Sequence, residues 1–190
     1  TGILALMLAQ RSDAMTIDAV EIDENAYEEA VENFENSPWS DRLFCYHTSI
    51  QEFVAEIDEN YDLIICNPPY FPPSKIESYD GRKIARETHL LNHITLLKNV
   101  KKLLTENGKC VISLPFESEK MFIELAKNMG FHFHKLLRMK DKTESPFSRS
   151  FLQFGFEKTN LTEEILTLKN DKNTYTKQFQ ELTCDFYTIF

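Results

Sequence analysis

The residues with the most chemical content form one run, Asn67-Pro68-Pro69-Tyr70, directly after the apolar stretch Asp62-Leu63-Ile64-Ile65-Cys66. Proline fixes φ and removes a backbone donor, so such a loop is stiff and its carbonyls are left to accept. The side-chain carbonyl of Asn67 and the backbone carbonyl of Pro68 offer two acceptors, enough to hold both hydrogens of one amino group. In an exocyclic amine such as that of adenine, the nitrogen lone pair is delocalised into the ring. Drawing both hydrogens toward acceptors favours a pyramidal nitrogen whose lone pair points at an electrophile. Tyr70 supplies a flat face for a base, and such stacking is worth about 1–3 kcal/mol. Asparagine also pairs with the N6 and N7 edge of adenine, although here N6 is the reacting atom. No strong base is required, because the proton turns acidic once nitrogen has attacked. A plain turn is the competing reading of the same four residues.

A second group lies earlier. Thr1-Gly2 reads as a glycine turn entering a helix, and Glu21 ends a short strand about 20 residues later, a spacing that suits hydrogen bonds to a ribose diol. The alternative for an acid there is helix capping, for which Asp23 is better placed, at the entry to the next helix. Ile22 and Ile50 are candidates to sandwich a cofactor adenine, or else belong to the core. His89 and His93 lie four apart on one helix, but no third metal ligand accompanies them, and no metal is expected.

The elements that position these residues follow from periodicity. Ile3 to Ala9 reads as a helix, Ala19 to Asp23 as a strand, and Asn25 to Asn36 as a helix with Ala26, Ala30, Val31 and Phe34 on one face. Leu43 to Tyr46 reads as a strand and His47 to Ile50 as the turn leaving it. Asp62 to Cys66 has the look of a strand buried on both faces of a parallel sheet. The apolar positions from Leu90 to Leu104 mark a long amphipathic helix stopped at Gly108, and Cys110 to Leu114 the next buried strand. A helix from Ser118 to Met129, closed by Gly130, precedes two strands, Phe131 to Met139 and Ser150 to Glu157. His132 and His134, alternating along the first of these, are expected to face solvent. Alternating strands and helices predict an α/β fold, a doubly wound parallel sheet with an antiparallel hairpin at one end. Ligands of such sheets bind at the carboxyl ends of the strands, where Glu21, Ser49 and Asn67 form the expected rim. Without repeats or a low-complexity linker, residues 1–190 read as a single domain.

Composition narrows the setting. The chain has 190 residues, 42% of them hydrophobic, enough for one packed core. Its apolar runs fall well short of the roughly 20 residues a membrane span needs. Four cysteines without a C-x-x-C pair suit reduced thiols and a cytoplasmic setting. The net charge of −9 is unevenly spread. Residues Thr1 to Ser74 carry 2 basic and 15 acidic side chains, Lys75 to Ser150 carry 15 and 9, and Phe151 to Phe190 carry 4 and 6. The basic segment starts just after the Asn67 motif. Within it Lys75, Arg82, Lys83 and Arg86 are candidates to hold phosphates, with ordinary solvated surface as the alternative.

Taken in order, Thr1-Gly2, Glu21-Ile22-Asp23 and Asn67-Pro68-Pro69-Tyr70 resemble the class I methyltransferases that act on amino groups. The closer resemblance is to the bacterial tRNA (adenine-N6) methyltransferases, which modify the adenine beside the anticodon of a valine tRNA. It extends to Phe71, Arg86, His89, Leu114-Pro115, Tyr175-Thr176 and Asp185-Phe186-Tyr187, and so spans essentially the whole chain. The resemblance implies a Rossmann-like, seven-stranded sheet with one antiparallel strand, and S-adenosylmethionine as cofactor. It implies a cofactor site at Thr1, Gly2, Glu21, Ile22, Ser49 and Ile50, and a catalytic loop of Asn67, Pro68, Pro69 and Tyr70. The expected partner is tRNA and the expected state a monomer. Relative to that family, the glycine-rich loop lacks its preceding acid and glycines, the central first strand is missing, and Ser49 stands where many members have an acid.

Three other enzymes compete with this reading. A protein N5-glutamine methyltransferase would use Asn67 and Pro68 on a side-chain amide, but usually has isoleucine where this chain has Phe71 and lacks the tail. A DNA adenine methyltransferase would need a target-recognition insertion that is not visible. A nicotinamide-dependent oxidoreductase would share the glycine turn and strand-end acid but leave Asn67 to Tyr70 unexplained. A non-catalytic RNA-binding module on the same fold usually loses the catalytic polar residue, and Asn67 is intact.

Overall fold

In the computed structural model, residues 1–68 and 93–187 are described, in two compact units, Thr1–Glu59 and Asn60–Phe190. Pro69, Tyr70, Lys75, Arg82, Lys83, Arg86 and His89 lie outside the described residues.

The first unit holds α1 (Ile3–Arg11), β1 (Ile17–Glu21), α2 (Glu24–Glu35), β2 (Leu43–His47) and α3 (Ile50–Glu56). β1 and β2 pair in parallel, Ile17 opposite Leu43 and Glu21 opposite His47, so both strands finish at the same edge. Ala5 and Ala9 of α1 pack with Ile17, Leu43 and Phe34 to form the core. Arg42 clamps the end of α1, donating to the carbonyls of Ala9, Ser12 and Ala14 at 2.6, 2.8 and 2.8 Å. A cation there satisfies orphan carbonyls and meets the negative end of the helix dipole. Asp23 caps α2 as expected, accepting from the Ala26 N–H at 2.9 Å. The segment leaving β2 is more than a turn, because Ser49 opens α3 with a capping box that includes Glu52.

The second unit is a five-stranded sheet in the order β3-β4-β6-β5-β7. Its elements are β3 (Tyr61–Cys66), a helix α4 described over residues 93–103, β4 (Leu104–Pro115), a 3-10 turn at Phe116–Ser118, α5 (Glu119–Asn128), β5 (His132–Lys140), β6 (Phe147–Gly155), β7 (Thr162–Thr167) and α6 (Lys177–Thr183). β3 runs parallel to β4 and β5 parallel to β7; only β6, wedged between β4 and β5, runs against its neighbours. The expected hairpin is therefore present, but β6 lies inside the sheet and β7 beyond it.

Alternation packs one face. Ile112 and Leu114 of β4, Leu152 and Phe154 of β6, Phe122 of α5 and Leu97 of α4 are completely buried. Each such side chain contributes about 1.5–3 kcal/mol. Three local expectations are corrected. α4 ends at residue 103, and Gly108 sits in the bulged start of β4, where an added Cβ would meet Leu104 Cδ1 at 2.8 Å. β3 is not buried on both faces. Ile64 and Cys66 face the core, while Leu63 and Ile65 on the other face are 44% and 36% exposed. His134 is half-buried rather than solvent-facing, its Nε2 2.9 Å from the Glu157 carbonyl. Gly130 does close α5, at φ 91°.

At the edge of the core an ion pair joins a buried carboxylate to a half-buried guanidinium. Glu119, 7% exposed, receives Arg138 Nε and Nη2 at 2.9 and 2.7 Å and the Ser150 hydroxyl at 2.5 Å. Arg138 also reaches Glu163 of β7 at 2.8 Å. Burial alone would raise the Glu119 carboxyl, but the hydrogen bonds from Arg138 and Ser150 outweigh it and hold the group below the ordinary glutamate range. The stabilisation is then fully present above the unfolded-state value of about 4.3 and is lost as pH falls through the lower folded value. Melting temperature should accordingly fall below about pH 4.3 more steeply in the wild type than in Glu119→Gln. Arg138→Met, which strands the carboxylate, should cost about 3 kcal/mol at neutral pH in denaturant titrations.

Candidate active site

β3 stops where its sequence makes it stop. Asn67 is followed by two prolines, which cannot donate to a sheet ladder. The Cys66 side chain turns into the core, and burial pushes its thiol up to about 11, so it is no nucleophile at neutral pH. Asn67, the next residue, is exposed just past the carboxyl end of the strand, and Pro68 is half-buried. The parallel register sets Cys66 opposite Ile112, which brings Asn67 alongside Ser113 of β4.

A residue that the sequence reading did not single out joins them. Arg149 of β6 donates from Nη1 to Ser113 Oγ at 2.9 Å and to Asn67 Oδ1 at 3.3 Å. The only sequence signal was a charge inside the alternating strand Phe147-Ser148-Arg149-Ser150-Phe151. His93, half of the i,i+4 histidine pair, is buried with its ring edge-on to Phe122 at 5.3 Å, a packing role.

In the first unit, parallel pairing brings Glu21 and Ile22 next to Thr48 and Ser49. The Thr48 N–H donates to the Glu21 carbonyl at 3.1 Å. Glu21 Oε1 accepts from the N–H groups of Ile22 and Asp23 at 2.9 and 3.0 Å, fixing the carboxylate at the strand end. Its Oε2 takes no hydrogen bond among the described residues, as an acceptor for a sugar hydroxyl requires. Ile22 is 71% exposed beside it, an apolar face at a polar edge, and Ile50 is half-buried. Ser49 is differently employed. Its hydroxyl donates to Glu52 Oε2 at 2.7 Å and accepts from the Glu52 N–H at 3.2 Å, so it is committed to the capping box.

Residues 1–114 match the family model for the methyltransferase small domain. A Flavobacterium psychrophilum protein named tRNA1(Val) (adenine(37)-N6)-methyltransferase is 44% identical over 98% of this chain and 80% of its own length. The Christiangramia forsetii protein of the same name is 45% identical over 98% of this chain and 79% of its own. The chain belongs to this methyltransferase family. The fold agrees. An Agrobacterium tumefaciens structure described as a predicted O-methyltransferase matches with a TM-score of 0.73 at 13% identity, over 96% of this chain and 84% of that one. A Pyrococcus furiosus methyltransferase structure matches with a TM-score of 0.58 at 24% identity, over 82% and 70%.

In this methyltransferase Gly2 adopts a left-handed backbone, φ 67°, at the start of α1. A Cβ there would lie 2.4 Å from Phe34 Cε1, and the neighbouring Thr1 carbonyl accepts from Asn33 Nδ2 at 2.9 Å. The turn is thus pressed onto α2, and two separate costs require glycine. Gly2→Ala should lose about 1–2 kcal/mol from the backbone and more from the displaced ring. Phe34→Leu in the same chain should recover only the second part, as read by thermal melting.

Proposed function

We propose that this methyltransferase transfers the methyl group of S-adenosylmethionine to N6 of an adenine in tRNA. The observation that carries the proposal is the strand-end carboxamide of Asn67, its oxygen oriented by a fixed cation and followed by a proline carbonyl. Its relatives, named tRNA1(Val) (adenine(37)-N6)-methyltransferase, support the same substrate. The cofactor supplies an electrophilic methyl on a sulfonium. Glu21 would hold its ribose, since one carboxylate oxygen is pinned by backbone N–H groups and the other is left to accept. Ile22 and Ile50 would cover the adenine, with Thr1 and Gly2 beside the cofactor chain and Ser49 contributing through the turn it caps.

On the substrate side, Asn67 Oδ1 and the Pro68 carbonyl accept the two N6 hydrogens, and Tyr70 stacks on the base beyond the stiff Pro68-Pro69 pair. As N6 bonds to the methyl carbon, the carbon–sulfur bond breaks. The N6 proton, now acidic, leaves to solvent. Lys75, Arg82, Lys83 and Arg86 hold RNA phosphates. A loop base is favoured because extruding one from a duplex costs a few kcal/mol. Among the described residues no helix is long and apolar enough to cross a membrane, and a monomer acting in the cytoplasm fits this role.

The protein, incubated with labelled cofactor and bulk tRNA, duplex DNA or a release-factor-like protein, should place label in N6-methyladenosine of a single tRNA. Label in methylglutamine, or in duplex DNA alone, would overturn the substrate assignment. Asn67→Ala should remove most turnover while leaving cofactor affinity intact. Glu21→Ala should weaken cofactor binding by roughly 1.5–3 kcal/mol per lost hydrogen bond in calorimetry, and unchanged affinity would remove it from the site.

A further inference from the structure

The tether on Asn67 comes from a residue that methyl transfer itself does not call for. Arg149 is opposite Pro115 in the β4–β6 register, two residues from Ser113 and therefore on the same sheet face. Its Nη1 carries two hydrogens, and the structure gives that nitrogen two acceptors, Ser113 Oγ at 2.9 Å and Asn67 Oδ1 at 3.3 Å. Ser113 is buried within β4, so the guanidinium is anchored to the sheet rather than carried by the Asn67 loop.

We infer that Arg149 is a positioning residue that decides which end of the Asn67 carboxamide faces the target amine, an inference that rests on Asn67 being the acceptor for N6. A carboxamide has two ends of nearly the same shape and opposite polarity. Turned the wrong way, Asn67 would set an NH2 against another NH2, losing an acceptor and opposing two donors. A guanidinium has no acceptor, so it engages the oxygen and cannot hold the nitrogen end. A carboxamide oxygen has two lone pairs, so accepting from Arg149 does not by itself bar Oδ1 from accepting an N6 hydrogen. An arginine that gripped a tRNA phosphate would have its Nη hydrogens turned to solvent, whereas those of Nη1 are directed at β4 and the end of β3.

The test exploits a side chain in which the flip has no meaning. Arg149→Met and Ser113→Ala are each made in the wild type and in Asn67→Asp, whose two carboxylate oxygens both accept. Methylation of tRNA is followed with labelled cofactor, together with cofactor affinity, melting temperature and the salt dependence of tRNA binding. With Asn67 present, Arg149→Met should lower kcat about tenfold, the scale of one charge-assisted hydrogen bond, with KM for tRNA and the salt slope unchanged. Arg149→Lys, which keeps a donor, should recover part of the rate. In Asn67→Asp the loss from Arg149→Met should nearly vanish. Ser113→Ala, the milder change, should show the same dependence on Asn67 at smaller size and decides the matter if Arg149→Met does not fold. Equal losses in both backgrounds would overturn the proposal. So would a raised KM with a flattened salt slope, which marks a phosphate contact. A wild-type protein that leaves tRNA unlabelled would sink the substrate assignment instead, and no mutant comparison is needed to see it.

Discussion

The register of β6 is the constraint on which the second unit depends. Side chains alternate along a strand, so burying Ser150, Leu152 and Phe154 on the core face sends Arg149, Phe151 and Gln153 to the other. A slip of one residue would turn the whole buried set outward. The hydrophobic core therefore fixes Arg149 within reach of Ser113 and Asn67, without any separate device for aiming it. Ser150 ties the same strand to Glu119 and, through it, to Arg138 and β5. Glu163 extends that network to β7. Packing and site geometry are two faces of one strand.

The first unit achieves placement differently. Its buried core is smaller, and its strand ends are held by short-range hydrogen bonds: Glu21 on its own following amides, Asp23 on α2, Ser49 and Glu52 on α3. Three acidic groups in succession occupy helix or strand termini, where backbone N–H groups would otherwise lack partners. Asp23 and Glu52 serve helix caps, whereas Glu21 serves none: it stands at the end of a strand with one carboxylate oxygen held by the two following amides.

Much of this was legible in the chain because the signals were local. The β1 end at Glu21, the Asp23 cap, the β3 end before two prolines and the glycine closing α5 each follow from one or two residues. What escaped was of two kinds. α3 is short, yet Ser49-x-x-Glu52 is a readable capping box that the strand-end interpretation of Ser49 concealed. β7 and α6 are polar and largely exposed, so periodicity hardly marks them. Gly108 misled because a glycine after an amphipathic run reads as a stop, whereas here it admits Leu104 in a bulge. The partnership of Arg149 with Asn67 spans 82 positions and depends on strand order, which no local pattern encodes.

The burial of Cys66 has a consequence for the selectivity of alkylation. A sulfonium methyl donor is an indiscriminate electrophile, and a thiolate is intrinsically a far better nucleophile than an aromatic amine. The chain places a cysteine immediately before Asn67, the residue proposed to present the weaker nucleophile. With burial pushing its thiol up to about 11 and its side chain in the core, Cys66 stays a thiol at neutral pH. The same strand end that leaves Asn67 exposed thus hides its neighbour, which on the proposed function would keep the thiol from competing for the methyl group.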